Sequence, residues 1–311
     1  MNTAEDDASF LPLESRALLV ATGPQRQKFL HGLLSNDLQS RTPGQGTRAA
    51  LMDARGHLLT FLRALVTESE IVLELPLDRR DEIHRLLDHY RVAAPVRFAP
   101  SNDVVIGLVG PQVVARLRAH GVDAADLAPE SHAKIALGGA NVRLVRAGDL
   151  PRGGYVLYVP ADTAATVTNV LEAAGLGRLS RESLDALRIE EGRAWYGPDV
   201  STRNLLHETG LVGEYHSPSK GCYVGQEVIA RLEARGANVN QRLRGLKLAE
   251  PRPAGTVLRA EGKDAGVLTT AAVSPRLGPI AMGYVQRAHA EPGTVVDADG
   301  TRAEVTPLPM A

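Results

Sequence analysis

Ala21-Thr22-Gly23-Pro24-Gln25 is answered 87 positions later by Leu108-Val109-Gly110-Pro111-Gln112. Each follows an apolar run, Ala17 to Val20 and Val104 to Val109, and each opens a helical pattern, over 25–34 and 113–120. Glycine then proline suits a strand that turns sharply into a helix, because proline's fixed φ fits the first helical turn. A second pair keeps nearly the same offset: Leu75-Pro76-Leu77-Asp78 and Val159-Pro160-Ala161-Asp162 both lead into helices. Each copy therefore reads β-α-β-β-α-β. In the first, strands over 47–53, 57–66 and 70–75 precede a helix over 78–91 and a strand near 95–99. In the second, strands near 133–137, 141–146 and 154–159 precede a helix over 162–174. The repeat implies two ferredoxin-like lobes, 1–100 and 101–182.

Outward from the repeat the pattern changes twice. Ser183 to Tyr196 reads as helix, and a polar irregular stretch, 197–221, follows. The segment 183–239 is expected to pack on the first lobe. Beyond Asn240, short β-prone pieces (Arg244 to Leu248, Thr256 to Arg259, Gly266 to Val273, Ile280 to Val285) alternate with Gly/Pro turns, the pattern of a small antiparallel barrel over 240–311. The fold class expected is α+β.

Bulk properties narrow the function. A chain of 311 residues is long for one core. Its 35 basic and 36 acidic residues leave a net charge of −1, which steers it to neither nucleic acid nor an anionic membrane. The acidic start Met1 to Asp7 has no basic or apolar signal character, so a cytoplasmic protein is expected. A single cysteine excludes an intrachain disulfide and a four-thiolate metal site. There is no P-loop, GxGxxG, HExxH or GxSxG, so NTP hydrolysis, hydride transfer and zinc proteolysis have no support.

That cysteine sits in Lys220-Gly221-Cys222-Tyr223-Val224-Gly225-Gln226-Glu227, a glycine-flanked turn feeding a helix expected over 224–235. A helix N-terminus and a nearby lysine both favour a thiolate, which makes a nucleophile or a metal ligand. The competing reading is a small turn hydrophobe. Elsewhere, Asn36-Asp37 fits a helix-ending turn, and Asp53-Ala54-Arg55-Gly56 a tight hairpin with Gly56 at positive φ. Arg188 and Glu190 lie two apart on a helix, on different faces, with Arg188–Glu191 as the pair that could meet. Glu190 and Glu191 beside Trp195 and Tyr196 would suit a flat heterocycle, or else Trp195 lines the core. His207 and His216 flank the run before Cys222 and could serve the thiol as bases.

The cysteine run, continued by Ala230-Arg231 and Arg235-Gly236-Ala237-Asn238, resembles the hallmark of the YgfZ-type folate-binding proteins, relatives of the glycine-cleavage T-protein (aminomethyltransferase). Phe29 to Asp37 is similar to that family's FLxGxxTND segment, Asp53 to Leu58 to its DAKGK turn, and Arg188 to Gly192 to its RxExG element. The resemblance implies two interleaved ferredoxin-like lobes and a barrel, with tetrahydrofolate in a central hollow approached by Asn36, Asp37, Asp53, Arg55, Arg188 and Glu190. It makes Cys222 the functional thiol with Lys220 as its charge partner, and Gly221, Tyr223, Gly225, Gln226, Glu227 and Arg231 the residues that shape the loop. The T-protein's two acids have no match at Leu58–Leu62 or Arg152–Gly154, which argues against aminomethyl transfer. The implied function is a folate-binding accessory protein for synthesis or repair of iron–sulfur clusters in client enzymes, tRNA-modifying ones included. Its partners would be folate and a cluster carrier or client protein, without direct nucleic-acid or membrane contact. Two other activities remain open: a tetrahydrofolate-dependent one-carbon transferase or demethylase, and a cysteine-nucleophile enzyme.

Overall fold

The computed structural model describes residues 7–122 and 127–310, so the acidic start up to residue 6 lies outside the described residues. The chain divides into two compact units. One holds the residues through Asp53, Leu59–Leu179 and Gly213–Val224; the other holds Ala54–Leu58, Ser180–Val212 and the chain from Gly225 onward.

The first unit contains both lobes. The chain enters as β1 (Ser9–Pro12) and then builds the first lobe: β2 (Arg16–Thr22), α1 (Arg26–His31), β3 (Gly46–Met52), β4 (Leu58–Val66), β5 (Glu70–Pro76), α2 (Arg80–Tyr90) and β6 (Arg97–Ser101). Its sheet runs β3-β4-β5-β2-β6. The second lobe repeats the order with β7 (Val104–Val109), α3 (Val113–Arg118), β8 (His132–Leu137), β9 (Ala140–Arg146), β10 (Tyr155–Val159), α4 (Ala164–Ala173) and β11 (Gly177–Arg178). Its sheet runs β11-β1-β7-β10-β9-β8. The two orders match except at one place. Beside β2 stands its own lobe's β6, but beside β7 stands β1, antiparallel to it and parallel to β11. The sequence pattern does not mark β1, because Ser9, Phe10 and Leu11 are buried in succession and show no alternation.

The glycines of the repeated turn have one physical role. Gly23 has φ +105 and Gly110 φ +121, and a Cβ on either would fall within 2.0 Å of Pro95 O or 2.5 Å of Asp7 O. Only glycine lets the chain turn from β2 and β7 so close to neighbouring backbone. Helix faces follow the usual spacing: Ile83 and Leu87 on α2, Val113 and Leu117 on α3, and Val167 and Leu171 on α4 are the buried positions. Each lobe encloses its own apolar cluster, around Leu19, Leu73 and Ile83 in the first and Leu108, Leu144 and Val167 in the second.

A buried ion network crosses from the first lobe to loops of the second. Arg63 on β4, 2% exposed, bonds Glu74 at 2.5 Å, Glu130 at 2.7 Å and Asp149. Arg16 bonds Glu74 and, at 2.7 Å, Asp149; Tyr158 donates its hydroxyl to Glu74 at 2.5 Å. Arg48 joins Glu130 at 2.9 Å to Glu214 at 2.5 Å. Burial raises the carboxyl of Asp149, but Arg16, Arg63 and Arg48 overcome it and hold it far below the usual range.

After Ala54–Leu58, the second unit continues with α5 (Arg181–Glu190), capped by Ser180, whose Oγ accepts from the Ser183 amide at 3.0 Å. A short helical turn over Leu206–Thr209 follows, then α6 (Val212–Tyr215) at the return into the first unit, and later α7 (Gln226–Ala234). β12 (Gln241–Leu248), β13 (Val257–Ala260), β14 (Lys263–Ser274), β15 (Gly278–Gln286), β16 (Val295–Ala298) and β17 (Arg302–Thr306) close into a six-stranded antiparallel barrel in the order β12-β15-β14-β13-β16-β17. Leu246, Leu258, Leu268, Val285 and Val305 fill it. The α+β class with two lobes and a terminal barrel is thus the observed architecture. No helix among the described residues is long and apolar enough to cross a membrane.

Candidate functional site

The cysteine loop in the first unit is built by anchors on either side of an exposed thiol. Lys220 is 9% exposed and Tyr223 7%, whereas Cys222 between them is exposed and outside any disulfide. The Lys220 ammonium donates to the carbonyls of His31 and Leu34, where α1 ends, and lies 4.7 Å from the centre of the Tyr223 ring. A lysine here satisfies carbonyls that a helix end leaves open and complements the negative end of its dipole. Burial lowers the Lys220 ammonium to about 8, while Asp37 and Cys222 pull the other way. Lys220 is therefore a clamp for the loop as well as a charge beside the thiol.

The rest of this segment is stitched to the same place. Ser35 donates its hydroxyl to Tyr215 O at 2.6 Å, and the Ser217 amide donates to Ser35 O at 3.1 Å. Asn36 donates to Arg48 O at 2.8 Å and Glu214 O at 3.2 Å, while its Oδ1 accepts from the Asp37 amide. Asp37 accepts from Ser40 and faces His31 at 3.6 Å. Burial opposes its charge, but the Ser40 bonds and His31 hold its carboxyl below the usual range. Asn36, Asp37, Lys220 and Cys222 thus come together around the end of α1. His216, 8% exposed, turns its ring toward Tyr223 at 5.9 Å, and His207 belongs to the other unit.

The helix after the loop starts later than the sequence suggests. Gly225, at φ +84, is the N-cap and Gln226 the first residue of α7. The left-handed glycine ends the loop before the helix begins, and within the loop Lys220 is a cation that interacts with Cys222. Gln226, Glu227 and Arg231 lie on α7 in the second unit. The Asp53–Gly56 turn, partly buried at Asp53 and exposed at Arg55, reaches the same helix: Gly56 has φ +79, and a Cβ there would meet Val228 at 2.7 Å.

Arg188 and Glu190, also in the second unit, are fold contacts. Arg188 is fully buried, bonded to Asp185 at 2.7 Å, Asp199 at 2.8 Å and Arg193 O at 2.8 Å. It pairs with these residues rather than with Glu191, which faces Arg193 at 3.7 Å. Glu190 accepts from Ser274 Oγ and, at 3.1 Å, from Arg276. Asp199, wholly buried, accepts from Arg188, the Trp195 amide, Thr269 and Thr270, and so pins α5 to β14. Sequence reasoning overlooked Asp199; an acid eleven positions beyond a buried arginine leaves no spacing signal. The Trp195 ring is covered by Arg188 at 4.5 Å and Arg181 at 5.5 Å and is 5% exposed, so it lines the core.

The residues expected to approach a reduced folate are engaged to different degrees by the chain itself. A pteridine needs donors for its ring acceptors and carboxylates for its N–H groups. Asn36 and Arg188 turn their donors to the chain's own oxygens, and Arg188 has no surface to offer. Asp37 and Glu190 retain only spare acceptor capacity beside partners they already hold. Among the described residues no group of three or more His, Cys, Asp or Glu side chains could hold a metal ion.

Comparison with known proteins agrees with this architecture. Residues 13–213 match the GCVT N-terminal domain, and 241–310 match the glycine cleavage T-protein C-terminal barrel domain. The chain is 30% identical to a probable aminomethyltransferase of Natronomonas pharaonis, covering 93% of this chain and 83% of that protein. It is 29% identical to the tRNA-modifying protein YgfZ of Cronobacter sakazakii, over 74% of this chain and 68% of that one. The crystal structure of aminomethyltransferase T from Bartonella henselae superposes with a TM-score of 0.88 at 23% identity, covering 99% of this chain and 88% of that one. With both of its domains matched in order, the chain belongs to the glycine cleavage T-protein (GCVT) family.

Proposed function

We propose that this chain is a YgfZ-type accessory protein that supports synthesis or repair of iron–sulfur clusters in client enzymes, with Cys222 as its working thiol. The observation that carries the reading is an exposed cysteine held on a loop whose flanking residues, Lys220 and Tyr223, are both buried anchors. Such a loop presents one sulfur to a partner while resisting collapse. With one cysteine in the chain, further ligands for a cluster would come from a carrier protein or a small thiol. The relative named as a tRNA-modifying protein supports clients of that kind, and a cytoplasmic setting goes with the reading. Reduced folate is the ligand this resemblance implies.

The alternative is a tetrahydrofolate-dependent one-carbon transferase, favoured by the aminomethyltransferase relatives. Against it, the β4 stretch where the T-protein carries its acid has Thr60, fully buried with its hydroxyl on Phe61 O. The test is complementation of a strain lacking its own copy with wild type and Cys222→Ala. Loss of cluster-enzyme activity with the variant is expected; full rescue overturns the thiol's role. Calorimetric titration with tetrahydrofolate, followed by turnover with a methylamine donor, separates the two readings.

A further inference from the structure

The barrel of the second unit carries a polar cleft that the thiol reading does not use. It encloses about 580 Å3, within the range of about 300–1,000 Å3 of small-ligand sites, and is lined by Glu208, Asn240, Gln241, Gln286, Arg287 and Ala288. Gln241 and Gln286 stand directly opposite each other on the β12–β15 pair, and the Leu206–Thr209 turn places Glu208 against them.

The hydrogen bonds leave an uneven set of atoms. Glu208, 8% exposed, takes three donors on one oxygen: the Leu205 amide at 3.2 Å, Asn204 at 3.4 Å and Gln241 at 3.2 Å. Its other oxygen accepts nothing among the described residues. Gln241 directs its amide nitrogen to Glu208, and Gln286 directs its own to Asp264 O at 2.9 Å, so both side-chain carbonyls remain open. The Asn240 amide makes no bond among the described residues. An independent observation lies on the same face of the same strand pair. Tyr284, two residues before Gln286 and opposite Leu243, is 4% exposed, and its hydroxyl has no hydrogen-bond partner among the described residues. Burial raises its pKa, and the carboxylates of Asp199 and Glu208 add to the shift, so the hydroxyl keeps its proton. A buried hydroxyl without a partner is unusual in a folded chain and asks for a guest atom.

We propose that this cleft binds a small zwitterion of the amino-acid class. Its ammonium group would sit on the open oxygens of Glu208, Gln241 and Gln286, within reach of Tyr284, and its carboxylate would pair with Arg287 at the rim. An acceptor-lined floor selects a cation, and the exposed guanidinium selects against one that lacks an anion at its other end. This site is independent of Cys222 and stands or falls separately from the accessory function.

The test is calorimetric titration of the full chain with γ-aminobutyrate and L-alanine, two zwitterions of different length, and with butylammonium and butyrate as half-ligands. At least one zwitterion is expected to bind about tenfold more tightly than either half-ligand, a change of one decade in Kd. Arg287→Gln is expected to erase the advantage over butylammonium, and Glu208→Gln to abolish binding. Since Glu208 also supports the Leu206–Thr209 turn, Tyr284→Phe and Gln286→Leu serve as second variants, each weakening zwitterion binding about threefold or more. Zwitterions that bind no better than their halves, that fail to bind at ~10 mM, or that bind all four variants like wild type overturn the proposal.

Discussion

Replacing Lys220 by methionine isolates the clamp under the cysteine loop. Methionine keeps much of the length and apolar stem but donates nothing. Two carbonyls, His31 O and Leu34 O, lose a cationic donor, and Leu34 is fully buried. A hydrogen bond to a charged group contributes about 1.5–3 kcal/mol, and the ammonium over Tyr223 adds about 0.5–1 kcal/mol. Relief from burying the ammonium offsets part of this, because burial lowers Lys220 to about 8. The net cost should be about 2–4 kcal/mol. It should fall on residues 217–224 more than on the sheets, since Ser217 and Tyr215 keep their own bonds to Ser35. Urea unfolding gives the total, and hydrogen exchange read by mass spectrometry gives the location. Lys220→Arg, which can still reach carbonyls, should recover half or more of the loss. An unfolding free energy unchanged within about 0.5 kcal/mol, with no added exchange over 217–224, would refute the reasoning.

Four further outcomes are expected. Arg63→Met leaves Glu74, Glu130 and Asp149 facing one another in a buried site and should cost about 3–5 kcal/mol by urea unfolding; a loss under 1 kcal/mol would show that water already screens the network. Asp199→Ala leaves the fully buried Arg188 with Asp185 as its remaining carboxylate and frees Thr269 and Thr270; it should cost about 3 kcal/mol, read by the same assay, with α5 and β14 exchanging fastest, and uniform exchange would contradict its pinning role. Gly56→Ala should cost about 2–3 kcal/mol from left-handed backbone strain plus the clash with Val228, and a neutral result would mean that α7 yields without cost. His132 is held neutral: burial, then Arg143, lower it to about 4 from 6.5, with Nδ1 accepting from Arg143 at 2.8 Å. The unfolded chain therefore binds the extra proton between pH 6.5 and 4. This contribution is complete above pH 6.5 and is lost as acid passes through that window, about 2–3 kcal/mol in all. His132→Gln should flatten that part of the stability profile, and an unchanged slope would assign the acid sensitivity elsewhere.

The repeat was legible because it is local. A glycine and a proline at a strand-to-helix turn state their backbone needs within five residues, and Gly23 and Gly110 meet the same need in both lobes. The barrel was legible for the same reason, from short strands broken by Gly/Pro turns. Its last two strands, β16 and β17, were not among the pieces that the pattern singled out.

For the polar residues, the sequence names the side chains but not their partners. Asn36, Arg188 and Glu190 are recognisable as a pattern, yet their partners sit far along the chain: Asn36 meets Glu214, and Glu190 meets Ser274. Where a buried side chain points is set by whichever distant group must be neutralised or hydrogen-bonded beside it.

From its residues alone this chain fixes two lobes, a barrel and a lone cysteine in a glycine-rich turn, since turn chemistry and period need only neighbouring residues. Tertiary structure decided that the first strand joins the second lobe's sheet, that Lys220 reaches back 189 positions to close α1, and that Arg188 belongs to Asp199. Those choices depend on which backbone and charges are left unsatisfied once the sheets have formed, and no local pattern encodes that.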